Sequence, residues 1–248
     1  MLPPARLIQW DVDRTLLVGG GVGVEAFAAA FTAVTGVAWA GDLQAAGRTD
    51  LSLAPELFAQ HGIADAGPYL RPFFARYGAE SAARAHLMAA RGTLLPGVPD
   101  VLAALHRRPG VVQTLVTGNI RAVGIGKVAA FGLDPYLDTA VGGYGDDHPV
   151  RSELVLRSRG RAEAAHGEFT EVVVVGDTVH DVGAALAAGV TAVGVATGPA
   201  SAAELADAGA HHVLDDLSDV DGVVALLATG RLRDEAAPPQ PRRSPRGH

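Results

Sequence analysis

The chain has 248 residues, 48% of them hydrophobic, and a formal net charge of −7. This is enough apolar material to bury a sizeable core in one α/β domain, with or without an insertion. Cysteine is absent, which excludes disulfides and thiolate metal ligands and favours a reducing compartment. No signal-peptide pattern and no apolar window of membrane-spanning length is evident. We therefore expect a cytoplasmic protein with no membrane partner.

Charge is unevenly distributed along the chain. Residues 231–248 hold five arginines against Asp234 and Glu235, a net +3, which leaves −10 for the first 230 residues. An acidic body argues against binding to nucleic-acid phosphates. The tail is rich in proline and arginine and poor in large apolar residues, so we expect it to be disordered. The sequence does not indicate an oligomeric state.

The first predicted element is a buried strand at Leu7–Trp10. It ends directly at two carboxylates, Asp11 and Asp13, followed by Thr15. Burying charge is costly unless a partner compensates it. The run therefore indicates either a turn or a site built around a cation.

Residues 18–92 follow, with a succession of helical patterns and no convincing strand. Val24, Phe27, Phe31 and Val34 fall on one helix face. The glycine-rich run at 19–23 lacks the lysine of a phosphate-binding P-loop and is typical of a hinge. We predict a helical cap over residues 18–92, inserted into a core formed by residues 1–17 and 93–230.

Apolar runs alternate with helical patterns from residue 93 onward. Strands are predicted at 111–116, more weakly at 139–141, and at 172–175 and 191–196. Strands that are apolar on both faces and alternate with helices indicate a parallel sheet covered on two sides. The predicted fold is therefore α/β, with a Rossmann-like parallel sheet core, helices on both faces and an inserted helical cap.

Polar residues directly follow three of the predicted strands. Asp11 and Asp13 follow the first, residues 117–119 the second, and Asp177, with Asp181 one turn later, the "VVVV" strand. In a parallel sheet these strand ends share one edge, where ligands bind. Several carboxylates in such proximity require a cation. Oxygen ligands without His or Cys favour Mg²⁺, held together with a substrate phosphate.

Three segments carry a family resemblance. "DVDRT" at 11–15, "VTGN" at 116–119 and "VGDTVHD" at 175–181 resemble motifs one, two and four of the haloacid dehalogenase-like hydrolase superfamily. Closer similarity is to its phosphoglycolate phosphatase-like branch, and the helical insertion resembles the superfamily's cap domain. The resemblance implies a Mg²⁺-dependent phosphatase that hydrolyses a small phosphorylated metabolite through an aspartyl-phosphate.

The resemblance also implies roles for these residues. Asp11 would be the nucleophile and Asp13 the general acid and base. The carboxylates of Asp11 and Asp177 and the backbone carbonyl of Asp13 would hold Mg²⁺, and Asp181 would orient metal-bound water. Phosphate oxygens would be bound by the Thr117 hydroxyl and by an amide of Gly118 or Asn119.

Four basic residues bear on the resemblance less directly. Arg14 stands where the family usually has glycine, so either its side chain points away from the phosphate or the loop is reshaped. The cation of the third motif is assigned to Arg151 in preference to Lys127, which we interpret as a surface residue in mid-helix. Arg48, in the cap sequence "GRTD", either pairs with a substrate carboxylate or second phosphate or is a solvated loop residue.

Other functions can be weighed against single residues. A dehalogenase lacks the second aspartate and a phosphonatase has a small residue there, so Asp13 argues against both. A sugar-phosphate mutase shares all the catalytic groups and remains an alternative. A non-catalytic binding module would be indicated by loss of Asp11, Asp13 or Asp177, and all three are present.

Overall fold

A five-stranded parallel sheet forms the centre of the computed structural model, which describes residues 6–41 and 46–230. The tail at 231–248, for which disorder is predicted, lies outside the described residues. The strands of the sheet are β1 Arg6–Trp10, β4 Val111–Leu115, β5 Glu171–Gly176, β6 Thr191–Val195 and β7 His212–Leu214. In spatial order they are β4, β1, β5, β6 and β7.

Both faces of this sheet are covered by helices. Alternate residues of β5 point to opposite sides, because Val173 and Val175 join one hydrophobic cluster and Val172 and Val174 join the other. The predicted α/β fold is thereby confirmed. The helices that contribute buried residues are α5 Val98–His106, α6 Arg121–Ala130 and α10 Val220–Thr229 on the first side, and α7 Arg151–His166, α8 Val179–Ala187 and α9 Ala202–Asp207 on the second.

The residues that lie between β1 and α5 along the chain form a separate helical layer. A short antiparallel ribbon, β2 Leu17–Val18 with β3 Thr93–Leu94, joins the positions where this layer begins and ends. The core of the helical layer is a group of aromatic rings centred on Phe27. The centroid of the Phe27 ring lies 4.8 Å from that of Phe73 and 5.2 Å from that of Tyr77. The helices are α1 Val22–Thr35, α2 Asp50–Gln60, α3 Gly67–Ala83 and α4 Ala85–Arg91.

Two local differences separate the observed elements from the predicted ones. Residues 139–141 form a 3₁₀ turn, since the Asp138 carboxylate accepts the Ala140 amide and caps it; the predicted strand there is wrong. The extended residue is instead Gly143, which bridges Val116. Strand β7 was not predicted, because it is only three half-buried residues long. Within the described ranges, no helix has both the length and the apolar character needed to cross a membrane.

Candidate active site

The site lies at the carboxyl edge of the sheet, where three strands end at the same level. Trp10 of β1 is in register with Leu115 of β4 and with Val175 of β5. The residues that follow these positions therefore emerge side by side. This register places Asp11, the loop at 117–119 and Asp177 around one point, as the strand-end pattern predicts.

A buried carboxylate cluster occupies this point. Oxygen atoms of Asp11, Asp177 and Asp181 all lie within 4.8 Å of one another. Burial and the charge of Asp181 raise the pKa of Asp11 well above its ordinary value, against the opposing effect of Arg151. The same two causes raise the pKa of Asp177 to about 7. The three carboxylates therefore repel one another unless a cation is present.

Arg151 enters this cluster from the first residue of α7. Its Nη2 atom lies 2.6 Å from Asp11 Oδ1 and 2.5 Å from Asp181 Oδ1. Burial alone would lower the pKa of Arg151, but the two carboxylates outweigh it and raise that pKa. The guanidinium thus stays charged and offsets part of the local negative charge. Its role as the cation of the third motif remains a proposal.

Lys127 also reaches the site, and its interpretation as a surface residue is wrong. Only 6% of the residue is exposed. Nζ lies 2.7 and 2.6 Å from the two carboxylate oxygens of Asp13 and 2.9 Å from Asn119 Oδ1. Lys127 lies four residues after the buried Val123 of α6, so it falls on the apolar face of the helix. That spacing was the sequence signal for its position.

Asp13 therefore has different neighbours from Asp11. Burial would raise the pKa of Asp13, but Lys127 and the Asn119 side-chain amide outweigh that effect and lower it. The Asp13 carboxylate lies outside the cluster of Asp11, Asp177 and Asp181. The two neighbouring aspartates of "DVDRT" are thus held in distinct electrostatic environments, as two separate chemical roles require.

Residues 117–119 contribute unequally to the site. Asn119 donates from Nδ2 to Asp13 Oδ2 at 2.7 Å and to Thr117 Oγ1 at 2.8 Å. Thr117 is fully buried beneath it. Gly118 lies against the loop at residues 46–49, which we call the cap loop. A Cβ at Gly118 would fall 2.0 Å from the carbonyl oxygen of Arg48 in that loop. The glycine of "VTGN" is therefore required for close packing, whatever its part in phosphate binding.

The cap loop before α2 is fixed to the core mainly through its backbone and Asp50. The Asp50 amide donates to Gly118 O at 2.8 Å, and the Ile120 amide donates to Asp50 Oδ2 at 2.8 Å. Burial raises the pKa of Asp50 to about 7. The Arg48 side chain instead pairs with Glu56 at 2.8 Å and does not line the central cavity. The structure therefore brings the Arg48 backbone, but not its side chain, together with the other expected site residues.

A cavity of about 490 Å³ opens above the strand ends, between the core and the helical layer. Several of its polar groups were not identified from the sequence. In the segment that contains Asp50, Arg48 was taken as the candidate site residue. Tyr77 fits the regular aromatic spacing of a helix and was interpreted as part of that pattern, and Thr178 lies inside the fourth motif, where the aspartates were chosen. The lining residues are Asp11, Asp13, Arg14, Leu17, Val18, Gly19, Gly20, Gly21, Gly23, Val24, Ala46, Gly47, Asp50, Tyr77, Asn119, Lys127, Asp177 and Thr178.

The buried carboxylates fit a hard divalent cation. All the donors are oxygens, the donor type that Mg²⁺ and similar ions prefer. Asp181 Oδ1 is buried and accepts no hydrogen bond of ordinary geometry from the described residues, although Arg151 lies beside it. The other oxygen of Asp181 accepts from the Thr178 amide and hydroxyl, which fixes the carboxylate at the start of α8.

Comparison with known proteins identifies the class to which this fold and site belong. The family model of haloacid dehalogenase-like hydrolases matches residues 8–186. The chain belongs to this family. The match includes the carboxylate cluster, both cations and the helical layer, and it confirms the resemblance found in the three motifs.

Individual relatives refine this placement. A phosphoglycolate phosphatase of Cupriavidus necator is 36% identical over 151 residues, which cover 58% of this chain and 60% of the relative. A Dickeya dadantii protein named Probable phosphatase IndB is 32% identical over 141 residues, covering 56% and 59%. The matched regions thus span about 60% of the length of each curated relative. The resemblance to the phosphoglycolate phosphatase-like branch is confirmed.

Solved structures share the fold. A protein described as a predicted phosphatase from Clostridium acetobutylicum superposes with a TM-score of 0.64 over 88% of this chain and 96% of its own. Its sequence identity is 17%. Similarity at that level supports the architecture alone.

Proposed function

We propose that the protein is a Mg²⁺-dependent phosphatase that hydrolyses a small phosphorylated metabolite through an aspartyl-phosphate. One observation carries the proposal. Asp11 lies within a buried group of three carboxylates, beside Arg151 at 2.6 Å, and lines a cavity large enough for a small metabolite. The relatives named as phosphatases support the same reaction class.

Asp11 attacks phosphorus in this proposal, and the ester bond to the leaving oxygen breaks as the bond to the Asp11 carboxylate forms. Asp13 gives a proton to that oxygen and then takes one from the water that attacks phosphorus, which breaks the bond from phosphorus to Asp11 and releases phosphate. Lys127 and Asn119 hold both oxygens of Asp13 and so fix its position. Thr117, Gly118 and Asn119 bind or position phosphate oxygens.

Bound Mg²⁺ would neutralise charge on the transferring phosphoryl group. Asp11 and Asp177, with the backbone carbonyl of Asp13, are the proposed ligands, and Asp181 orients water beside them. Arg151 also offsets the charge of the carboxylates, through its contacts with Asp11 and Asp181. We further propose that residues 18–92 act as the cap and that the protein works in the cytoplasm.

A sugar-phosphate mutase would use the same groups and differ in retaining the phosphoryl group on its product. No contact in the described residues favours it. A screen of phosphorylated metabolites distinguishes the two functions, with released phosphate as one readout and product isomerisation as the other. The proposal expects Mg²⁺-dependent phosphate release that EDTA abolishes. Equal turnover in EDTA would contradict the metal assignment, and isomerisation without release would indicate the mutase.

A further inference from the structure

Arg14 has an unusual backbone conformation. Its φ angle is 62°, and among residues 6–41 and 46–230 it is the only non-glycine residue with a positive φ. The conformation is fixed by two hydrogen bonds, from the Arg14 amide to Leu17 O at 2.7 Å and from Thr197 Oγ1 to Arg14 O at 2.5 Å. Glycine adopts such a conformation without steric cost, and arginine does not. Arginine is thus less favourable for the fold here than glycine.

The Arg14 side chain is exposed and lines the same cavity as Asp11 and Asp13. No hydrogen bond or ion pair joins its guanidinium to any residue that the structure describes. Lys127 and Arg151, in contrast, are each held by two acidic or amide partners. Arg14 therefore offers its donors to a molecule in the cavity.

The position of Arg14 limits which part of a substrate it can contact. It comes three residues after Asp11 in one tight loop, so its guanidinium can reach a group a short distance from the transferring phosphoryl group. Its planar array of N–H donors is suited to carboxylate or phosphate oxygens. An energetically unfavourable backbone conformation next to a reactive residue is typical of a functional constraint.

We propose that Arg14 is a specificity-determining residue that binds a second anionic group of the substrate, in addition to the phosphoryl group that is transferred. This inference rests on the proposed phosphatase function and names a substrate feature that it leaves open. From the sequence, Arg48 was a candidate for binding a substrate carboxylate or second phosphate, but its guanidinium is paired with Glu56. We assign that binding to Arg14 instead.

Binding can be tested without turnover in the Asp11→Asn background. Two probes carry a second anionic group, phosphoglycolate and ethylene glycol bisphosphate, and a third, 2-hydroxyethyl phosphate, has a neutral hydroxyl in its place; each is titrated with Mg²⁺ present. Replacing Arg14 by glycine should weaken binding of one or both of the doubly anionic probes by about 10- to 100-fold, the scale of losing a charge-assisted pair. Binding of 2-hydroxyethyl phosphate should change by less than about 3-fold, and Arg14→Lys should recover part of the loss.

Thermal unfolding gives a second, independent readout. Arg14→Gly should raise the melting temperature by about 2–4 °C, because glycine removes the backbone cost. Arg71→Ala, which removes an exposed cation from the outer surface of α3, is the matched control for net charge and should leave probe affinities unchanged.

The two doubly anionic probes decide whether the group bound is a carboxylate or a phosphate. Equal losses for all three probes, no loss for any probe, or no binding of the two probes with a second anionic group to the parent would each overturn the role of Arg14. A wild-type enzyme that binds these probes through Arg14 but hydrolyses no phosphate ester would instead refute the proposed function.

Discussion

Asp11 and Asp13 lie two residues apart but contact different cations. Arg151 contacts Asp11, whereas Lys127 contacts both oxygens of Asp13. Burial would raise the pKa of Asp13, but Lys127 and Asn119 lower it, whereas burial and the charge of Asp181 raise the pKa of Asp11 against the effect of Arg151. Each cation contacts a different aspartate of the proposed reaction, and we expect the enzyme to need both.

Removing either cation should impair turnover. We expect Arg151→Ala and Lys127→Ala each to lower kcat/KM by about 10²-fold, the scale of losing one preorganised electrostatic contact. This replaces the interpretation of Lys127 as a surface residue, from which a nearly neutral effect of its loss would follow. The measurement is steady-state phosphate release. Arg157→Ala, on the exposed side of the same helix as Arg151, should keep normal activity.

A near-normal Lys127→Ala enzyme would show that the contact with Asp13 does not contribute to catalysis. Melting temperatures of all three variants separate loss of chemistry from loss of folding. A folded Arg151→Ala enzyme with normal turnover would remove Arg151 from the mechanism.

Asp50 should make stability depend on pH. Its pKa is about 7 in the folded protein, above its ordinary value of 3.8. The folded state therefore binds the proton more tightly, and the resulting stability, present below pH 4, is lost as pH rises through about 7. Asp50→Asn keeps an oxygen to accept the Ile120 amide but has no charge to bury.

Relative to Asp50→Asn, the wild-type free energy of unfolding should fall between about pH 4 and pH 7, by up to about 4 kcal/mol. Urea unfolding in EDTA across this range measures the difference. Asp207→Asn, which neutralises an exposed carboxylate on α9, is the control. A constant difference between wild type and Asp50→Asn would mean that Asp50 is not buried as an unpaired charge.

At the scale of elements, the turn between β2 and α1 sets how the helical layer joins the core. Gly20 and Gly21 both have positive φ, 60° and 81°. A Cβ at Gly20 would lie 2.7 Å from the backbone of Arg91 at the end of α4, whereas a Cβ at Gly21 would meet nothing within 4 Å. Gly20 thus makes a close contact with the end of α4, and the hinge that the composition of the glycine run indicates stays a prediction.

These two glycines form a matched pair for mutation. Gly21→Ala should cost about 1 kcal/mol, from the left-handed backbone alone. Gly20→Ala should cost more, because the α4 backbone must also move. Thermal unfolding of both variants measures the difference, and equal losses of stability would show that the contact with Arg91 is not close.

Two of the strands show why the sequence could predict most of the sheet. The segment at 172–175 is apolar on both faces, and the segment at 111–116 is rich in valine and leucine, with only Gln113 and Thr114 polar. The segment at 139–141 has strand-like composition, but the neighbouring Asp138 caps it into a 3₁₀ turn. The structure of this segment depends on one side-chain hydrogen bond, which the periodicity of the sequence does not reveal.

At the scale of the whole molecule, the sheet order brings distant motifs together. β1 lies between β4 and β5, so residues 11, 117 and 177 meet at one edge, and their order along the chain was enough to predict this. The partners of Lys127, Arg48 and Asp50 were not predictable in the same way. These partners depend on how α6 and the cap loop pack across the cavity. Lys127 and Asp50 contact residues far away in the sequence, whereas Arg48 pairs with Glu56 although other charged residues lie nearby.

The proposed reaction depends on the covalent phosphorylation of Asp11. The most direct test is mass spectrometry of acid-quenched protein after mixing with Mg²⁺ and an aryl phosphate, which has a good leaving group. In Asp13→Asn, phosphate should be found on Asp11, because the nucleophile is intact while hydrolysis of the intermediate is impaired. Asp11→Asn should carry no phosphate and release none. Near wild-type phosphate release by Asp11→Asn would contradict the covalent mechanism.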